Sequence, residues 1–442
     1  MNELAQAVAG NLLRDDPEIE ARIEAGITAN RKGFGRFALV GPDSQPVTRA
    51  TITYRQIRHE YRFGCNAFML GQFAEAEKNA AYEARFASLF NLAVAPFYWA
   101  ALEPVEGRPR FTSDSPPIYR RPPPDTVLAF CEANDIVPKG HLLFWHTMLP
   151  DWLPRERSAI ARRLERRVRE IAERYANRIL VWDVANEALQ WNPIDGRTLP
   201  DDHVETAFRL AGRYFPETTE LLYNDGTLES WGWYRGAYTP LYLLARHLLD
   251  AGLPMRGLGL QFHMFRNPAA AAGGWGGPHL DPRFIFAHLD LYARLGVPLN
   301  ISEITITAHR DLGDGDAFQQ RVAERLYRIW FSHAATNGII WWNLVDGTAA
   351  FAPQNSDLGE NQYRGGLLNY DLTPKPAFLA LQRLICEEWN SVGTLKYIDG
   401  AANQFHGFFG DYEVTIKTDN GTFERRIRLA REAKNTFNLK LG

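Results

Sequence analysis

Cysteine is scarce: three residues, Cys65, Cys131 and Cys386, stand far apart in a chain of 442. An odd, scattered set excludes a disulfide framework and forms no metal or redox motif. No stretch approaches the ~20 apolar residues of a membrane-spanning helix, so no membrane association is expected. Neither sign of charge is in excess, since 49 Lys and Arg meet 52 Asp and Glu for a net charge of −3. Nothing therefore recommends a nucleic acid or other polyanion as partner. The N-terminal MNELAQAVAGNLLRDDPEIE has neither the basic start nor the continuous apolar core of a secretory leader. The chain as written is expected in the cytoplasm, and outside it or in the periplasm if a leader has been removed.

What is present in quantity is core material. Hydrophobic residues make up 45% of the chain and aromatics 12%, enough for one large domain with appendages. Eight apolar runs recur, near Phe63–Phe68, Leu92–Phe97, Ile136–Trp145, Ile179–Ala185, Glu220–Asn224, Leu258–His263, Leu299–Ile304 and Gly338–Asn343. Segments with apolar residues at helical spacing separate them. This alternation predicts an α/β fold, a (β/α)8 barrel with its chemistry at the strand C-termini. A doubly wound open sheet is the alternative, but no glycine-rich phosphate loop follows the first run. The basic run Arg155–Arg178 carries Ile160, Leu164, Val168 and Ile171 at helical spacing with acidic residues between. It is predicted to be an amphipathic helix with a solvated face, not a nucleic-acid surface.

The ends differ in pattern. Residues 1–31 look helical, with Asp15-Asp16-Pro17 as a start signal. Phe37–Val40 and Thr51–Tyr54 flank a turn-rich GPDSQP and are expected to form a hairpin; Asp411–Thr418 and Phe423–Leu429 flank Asp-Asn-Gly and are expected to form a second. We expect an N-terminal extension over 1–61, the barrel over 62–390 and a β-rich C-terminal extension over 391–442. The two small extensions are expected to pack together against the barrel.

The chemistry is organised by Ile179–Gln190, ILVWDVANEALQ. A run of this kind is a strand buried on both faces. At its C-terminal end it delivers Asn186 and Glu187, near Trp182 and Trp191. A lone Asn-Glu pair at such a turn is ordinarily a cap, but Val297–Thr307 delivers a second strand-end carboxylate, Glu303. The other strand ends supply His141, Trp145, His146, Asn224, Asp225, Gln261, His263 and Trp342. Two carboxylates, imidazoles, amides and indoles at one barrel mouth describe a carbohydrate site, where amides bond hydroxyls, indoles stack on sugar rings and the carboxylates cleave an acetal. A lone His in an apolar strand, as His141 and His146 are, is more often a hydrogen-bonded core residue, and Asp225 and Asp346 suit capping or orienting. Two long segments, Glu103–Pro124 and Arg266–Leu280, suit either cleft walls or structural insertions.

These stretches resemble glycoside hydrolase family 10, the endo-β-1,4-xylanase family. Trp182–Ala188 (WDVANEA) is similar to its WDVVNEA, and Gly140–Trp152 (GHLLFWHTMLPDW) to its GHTLVWHSQLPDW. Ile301–Thr305 (ISEIT) resembles its nucleophile stretch ITELD, and Gly257–His263 its glutamine-histidine segment. The late Trp342–Asp346 and the Pro-Lys-Pro at 374–376 keep the family's order. The resemblance implies a retaining barrel enzyme without metal or cofactor, acting on β-linked oligo- or polysaccharide by double displacement, its carboxyls ~5–5.5 Å apart. It implies Glu187 as acid/base, with the higher pKa, and Glu303 as nucleophile. Asn186 would hold the sugar 2-hydroxyl. His141, Gln261 and His263 would bond the sugar or position Glu303, and Trp145 and Trp342 would pack around it.

The departures concern the substrate. The family's Glu-Asn-x-x-Lys-Trp, which grips the glycon, is Val94–Trp99 (VAPFYW) here, so its Glu, Asn and Lys positions fall on Val94, Ala95 and Tyr98. Met148 stands for a Gln, Thr305 for an Asp, and the tryptophan expected around Thr348–Phe351 is missing. Sugar groups left unpaired would cost ~1–3 kcal/mol each. The readings are a xylanase, a β-glycosidase with another glycon, or a carbohydrate-binding barrel.

Overall fold

In the computed structural model, which describes every residue except 43–44, 191–198, 269–278 and 442, two strands precede the barrel and do not pair with each other. Strand β1 (Lys32–Val40) lies between β12 (Gln404–Phe408) and β15 (Thr436–Lys440). Strand β2 (Arg49–His59) lies between β11 (Val392–Ile398) and β13 (Gly410–Thr418), with β14 (Gly421–Leu429) beyond. The N-terminal hairpin expected from sequence is thus replaced by pairing with C-terminal strands. GPDSQP carries prolines and lacks a two-residue Asn-Gly type turn, so it does not enforce local register. The second hairpin forms as expected, β13 against β14 with Thr418 opposite Gly421. Strand β13 alternates buried and half-buried positions along most of its length, and the two sheets share a core that includes Phe37, Ile52, Phe405, Tyr412 and Ile416.

These strands belong to a compact unit of Asp16–Arg62, Phe331–Ala334 and Ala380–Gly442; the other unit comprises Met1–Asp15, Phe63–Trp330 and Ala335–Leu379. In the larger unit, Arg62 alone excepted, β3 (Arg62–Asn66), β4 (Leu92–Pro96), β5 (Val137–Trp145), β6 (Val181–Asn186), β7 (Glu220–Asp225), β8 (Gly257–His263), β9 (Leu299–Thr305) and β10 (Thr336–Trp341) close into an eight-stranded barrel. Adjacent strands run parallel. Strands β4, β6 and β9 are buried at every position, which is why they read as continuous apolar runs rather than alternating ones. The basic run becomes the helix Arg157–Tyr175, burying Ile160, Leu164, Val168 and Ile171. Arg166–Glu170 and Arg169–Glu173 pair along its outer face. Arg167 departs from that face: it is buried and donates to the backbone oxygens of Leu142 and Leu143 on β5.

Register near the strand ends positions the site. Asn186 lies opposite both Trp145 and Asn224, and Gln261 opposite Glu303. Irregular pairing interrupts the ladders between His141 and Phe144, Asp183 and Ala185, and Leu260 and Gln261. Such breaks turn side chains that strict alternation would separate towards one mouth. Gly259 matters here because a Cβ would fall 2.2 Å from Asn224 Oδ1. Its bare backbone leaves room for that amide.

Candidate active site

Glu187 follows β6 with φ of 53°, a left-handed conformation that costs a non-glycine residue of the order of 1–3 kcal/mol. Its N–H donates to the Asn224 backbone oxygen at 2.9 Å, and its own oxygen accepts from Gln190 N–H at 3.0 Å. This turn aims the carboxyl at Gln261, whose Nε2 donates to Glu187 Oε1 at 2.8 Å. The same nitrogen lies 3.2 Å from Glu303 Oε1. With one donor reaching both, the two carboxyl oxygens stand no more than about 6 Å apart, the two contacts end to end.

Glu303 is the more heavily bonded of the pair. Asn224 Nδ2 donates to its Oε1 at 2.8 Å, His263 Nε2 lies 3.3 Å from Oε2, and His141 Nε2 is 3.9 Å from Oε1. Behind these partners stands a second set. His141 Nδ1 meets Asp183 Oδ2 at 2.8 Å, and Lys139 Nζ meets Asp183 Oδ1 at 2.9 Å, all three buried. Burial alone would raise the Asp183 carboxyl, but Lys139 and His141 together hold it below its ordinary value. Asn224 also donates to Asn186 Oδ1 at 2.7 Å and accepts from the Ser302 hydroxyl. Thr305 Oγ1 sits 2.9 Å from His263 Nδ1.

Burial pushes Glu187 up to about 7, with the charge of Glu303 adding to it. Burial likewise pushes Glu303 up to about 7, against the pull of His141 and the Asn224 hydrogen bond. Two carboxyls this close share their titration, so one proton leaves well before the other. Glu303 is held by Asn224 and His263 and Glu187 by Gln261 and Asn186. His263 is driven down to about 4, burial being the largest cause, so it stays neutral at neutral pH. Asp225, raised to about 8 chiefly by burial, accepts from Tyr223 O–H and from Gly226 N–H. It steadies the backbone just beyond Glu187 through Leu189 N–H, 3.5 Å away.

The pair opens into a cavity of about 600 Å³. Of the residues singled out from sequence, Tyr98, His141, Trp145, Asn186, Glu187, Gln261, His263, Glu303 and Trp342 line it. Asn224 does not; it is fully buried beneath Glu303 and acts on the pair from behind. His146 is also absent from the wall: it stands just past the end of β5, with its ring edge-on to that of Trp145 at 6.2 Å. The indole Nε1 of Trp145 is buried without a hydrogen-bond partner among the described residues. Trp191 and the Gly-Gly-Trp-Gly-Gly of residues 273–277 lie outside the described residues.

Sequence reasoning missed Arg120, Arg121, Glu229 and Glu360, which also line the cavity. It also missed Lys139 and Asp183, although a charge inside an apolar strand was a visible signal. Asp346 is bonded to Gly366 N–H at 2.7 Å and to Lys375 Nζ at 3.1 Å, a structural role. Among the described residues no group of His, Cys, Asp and Glu is placed to hold a metal ion, and no helix is long and apolar enough to cross a membrane.

The sequence profile of glycosyl hydrolase family 10 matches residues 67–384. The chain belongs to glycosyl hydrolase family 10. It is 29% identical over 226 residues to a beta-1,4-xylanase of Dictyoglomus thermophilum, a match spanning 48% of this chain and 58% of that protein. It is 25% identical over 285 residues to endo-1,4-beta-xylanase B of Thermotoga neapolitana, spanning 61% of this chain and 75% of the other. Its fold superimposes on xylanase 10B of Thermotoga petrophila, solved with xylobiose, with a TM-score of 0.57 and 21% identity, covering 74% of this chain and 95% of that one.

In this family 10 glycoside hydrolase an apolar cluster backs the cavity at Tyr98 and Trp342. Val94 and Tyr98 pack with Phe68, Leu142 and Trp342 in one apolar cluster. Ala95 is fully buried as well. The Arg121 guanidinium lies 3.9 Å from the Tyr98 ring centroid. The stacking surface expected to be lost around Thr348–Phe351 is partly restored, since the Phe351 ring lines the cavity and is 79% exposed.

Proposed function

We propose that the chain is a retaining β-glycosidase of xylanase type, cleaving β-1,4-linked xylan or xylo-oligosaccharides by double displacement. The observation that carries this reading is the shared Gln261 bond. Carboxyl oxygens within about 6 Å leave no room for the water an inverting enzyme places between acid and base, which needs ~6.5–9.5 Å.

Glu303, ionised and held by Asn224 and by His263 in the tautomer with its proton on Nε2, attacks the anomeric carbon. As that bond forms the glycosidic C–O bond breaks, and the leaving oxygen takes the proton of Glu187. In the ester the charge of Glu303 is gone. One of the two causes that raised Glu187 goes with it, so Glu187 becomes a stronger acid and holds its proton less tightly. It stays ionised long enough to receive a proton from water attacking the anomeric carbon, and the departing Glu303 regains its charge. Asn186, whose Oδ1 accepts from Asn224 and Gln261 and whose amide also bonds Glu187, keeps one N–H for a sugar hydroxyl. Trp145 offers its unpartnered N–H and Trp342 its ring.

The test is hydrolysis of aryl β-xyloside, xylobioside, glucoside, galactoside and arabinoside by wild type and Glu303→Ala. Xylobioside turnover above the rest, lost in the variant, supports the reading. Preference for another sugar keeps the mechanism and replaces the substrate. Binding without turnover of any member sinks it in favour of a carbohydrate-binding barrel.

A further inference from the structure

Two arginines from the segment joining residues 103 and 124 face the cavity, and neither is paired with a carboxylate among the described residues. Arg120 is 4% exposed. Its Nη1 donates to Asn343 Oδ1 at 2.8 Å and to the Thr348 backbone oxygen, while its Nε has no partner among the described residues. Arg121 Nη1 donates to the Arg120 backbone oxygen at 2.9 Å, and its guanidinium covers the Tyr98 ring. Among the described residues all the hydrogen-bond partners of both guanidiniums are neutral. The acid facing them is Glu360, which interacts with Arg120 only through space and is bonded instead to the Ala350 backbone. Burial lowers Arg120 to about 10 and lowers Arg121 as well, so both remain cationic at neutral pH.

Adjacent cations, one buried and one half-buried, without an ion-pair partner among the described residues are costly, and a ligand that supplies the anion removes the cost. A guanidinium fork is shaped to take a carboxylate through two parallel hydrogen bonds. The position selects one side of the cleavage point. Tyr98, under Arg121, stands 5.3 Å from the His141 ring, and His141 faces Glu303. The charge of Glu303 acts on Tyr98 more strongly than that of Glu187. The arginines are therefore on the nucleophile's side, where the glycon lies.

We propose that Arg120 and Arg121 bind a carboxylate on the glycon, so that the preferred substrate is a β-glycoside whose glycon is a uronate or bears a uronate branch. This rests on the glycosidase reading above and names its substrate class. The test compares two pairs of twins: 4-nitrophenyl β-glucuronide with β-glucoside, which differ only at C6, and 4-nitrophenyl β-xylobioside with and without a glucuronyl branch on its non-reducing xylose. Binding is measured by calorimetry on Glu303→Gln protein and turnover on wild type.

One charged twin is expected to bind at least tenfold tighter than its neutral partner, and which one does so separates a main-chain uronate from a branch. Arg121→Gln should erase that gap and Arg121→Lys should keep part of it; Arg121 is only half-buried, and melting curves confirm that both variants fold. Equal binding of both pairs, or an Arg121→Gln loss that falls equally on charged and neutral twins, overturns the proposal. Tight carboxylate binding without cleavage would sink the glycosidase reading alone. Preferred cleavage of the neutral twins would sink this proposal alone.

Discussion

Glu187→Gln should make the protein more stable, and only at high pH. The amide keeps an oxygen that can accept the Gln261 hydrogen bond and removes a charge from a site where burial and Glu303 hold the carboxyl near 7. In the unfolded chain the same group ionises near its ordinary value of 4.5. Between those two values the folded chain retains a proton that the unfolded chain has released, so wild-type stability falls as pH rises from about 4.5 to about 7 and then levels off. Raising a carboxyl from 4.5 to about 7 corresponds to about 3 kcal/mol at most. The variant escapes that loss. The two proteins should melt together near pH 4, and at pH 8 the variant should be ahead by about 1–3 kcal/mol, which is a few degrees for a chain of this size. Calorimetric melts at pH 4, 6 and 8 test this. A gap of equal size at pH 4 and pH 8, or a variant less stable at pH 8, would refute the reasoning.

Gly259→Ala forces a methyl to within 2.2 Å of Asn224 Oδ1, so kcat should fall ~10–100-fold as Glu303 loses its alignment; unchanged kcat in the folded variant would remove Asn224 as its positioner. Thr305→Asp sets a carboxylate against His263 Nδ1 in place of the hydroxyl. The imidazole midpoint, about 4 in the wild type, should rise by roughly one to three pH units by NMR titration, and a stationary midpoint would refute the contact. Lys139→Met leaves Asp183 buried without the ammonium that faces it, and should destabilise the fold by roughly 3–5 kcal/mol in thermal melts; a loss below about 1 kcal/mol would contradict the pairing.

The barrel was legible because its strands are buried on both faces and leave a signature that depends little on context. Strand-end polar residues such as Asn186, Glu187 and Glu303 stood out against it for the same reason. The N-terminal hairpin was misread because β1 and β2 look the same whether they pair locally or with strands near the other end of the chain. Arg120 and Arg121 escaped notice since they lie in an irregular segment, where no periodicity says which side chains turn inward. Phe351 was overlooked because the expectation there was of one particular residue, a tryptophan, whereas the cavity needs only an exposed aromatic face. His146, just past the end of β5, does not line the cavity while its neighbour Trp145 does, and the apolar stretch that carries both gave no sign of which ring would.

The account's central claim is that Glu187 and Glu303 act together across a gap too narrow for an intervening water. Proton NMR of the first product released from whichever β-glycoside is cleaved fastest tests it directly. The account predicts the β anomer first, with the α anomer growing in only as the sugar mutarotates. The α anomer appearing first would contradict it, and would require the two carboxyls to work farther apart than the shared Gln261 contact allows.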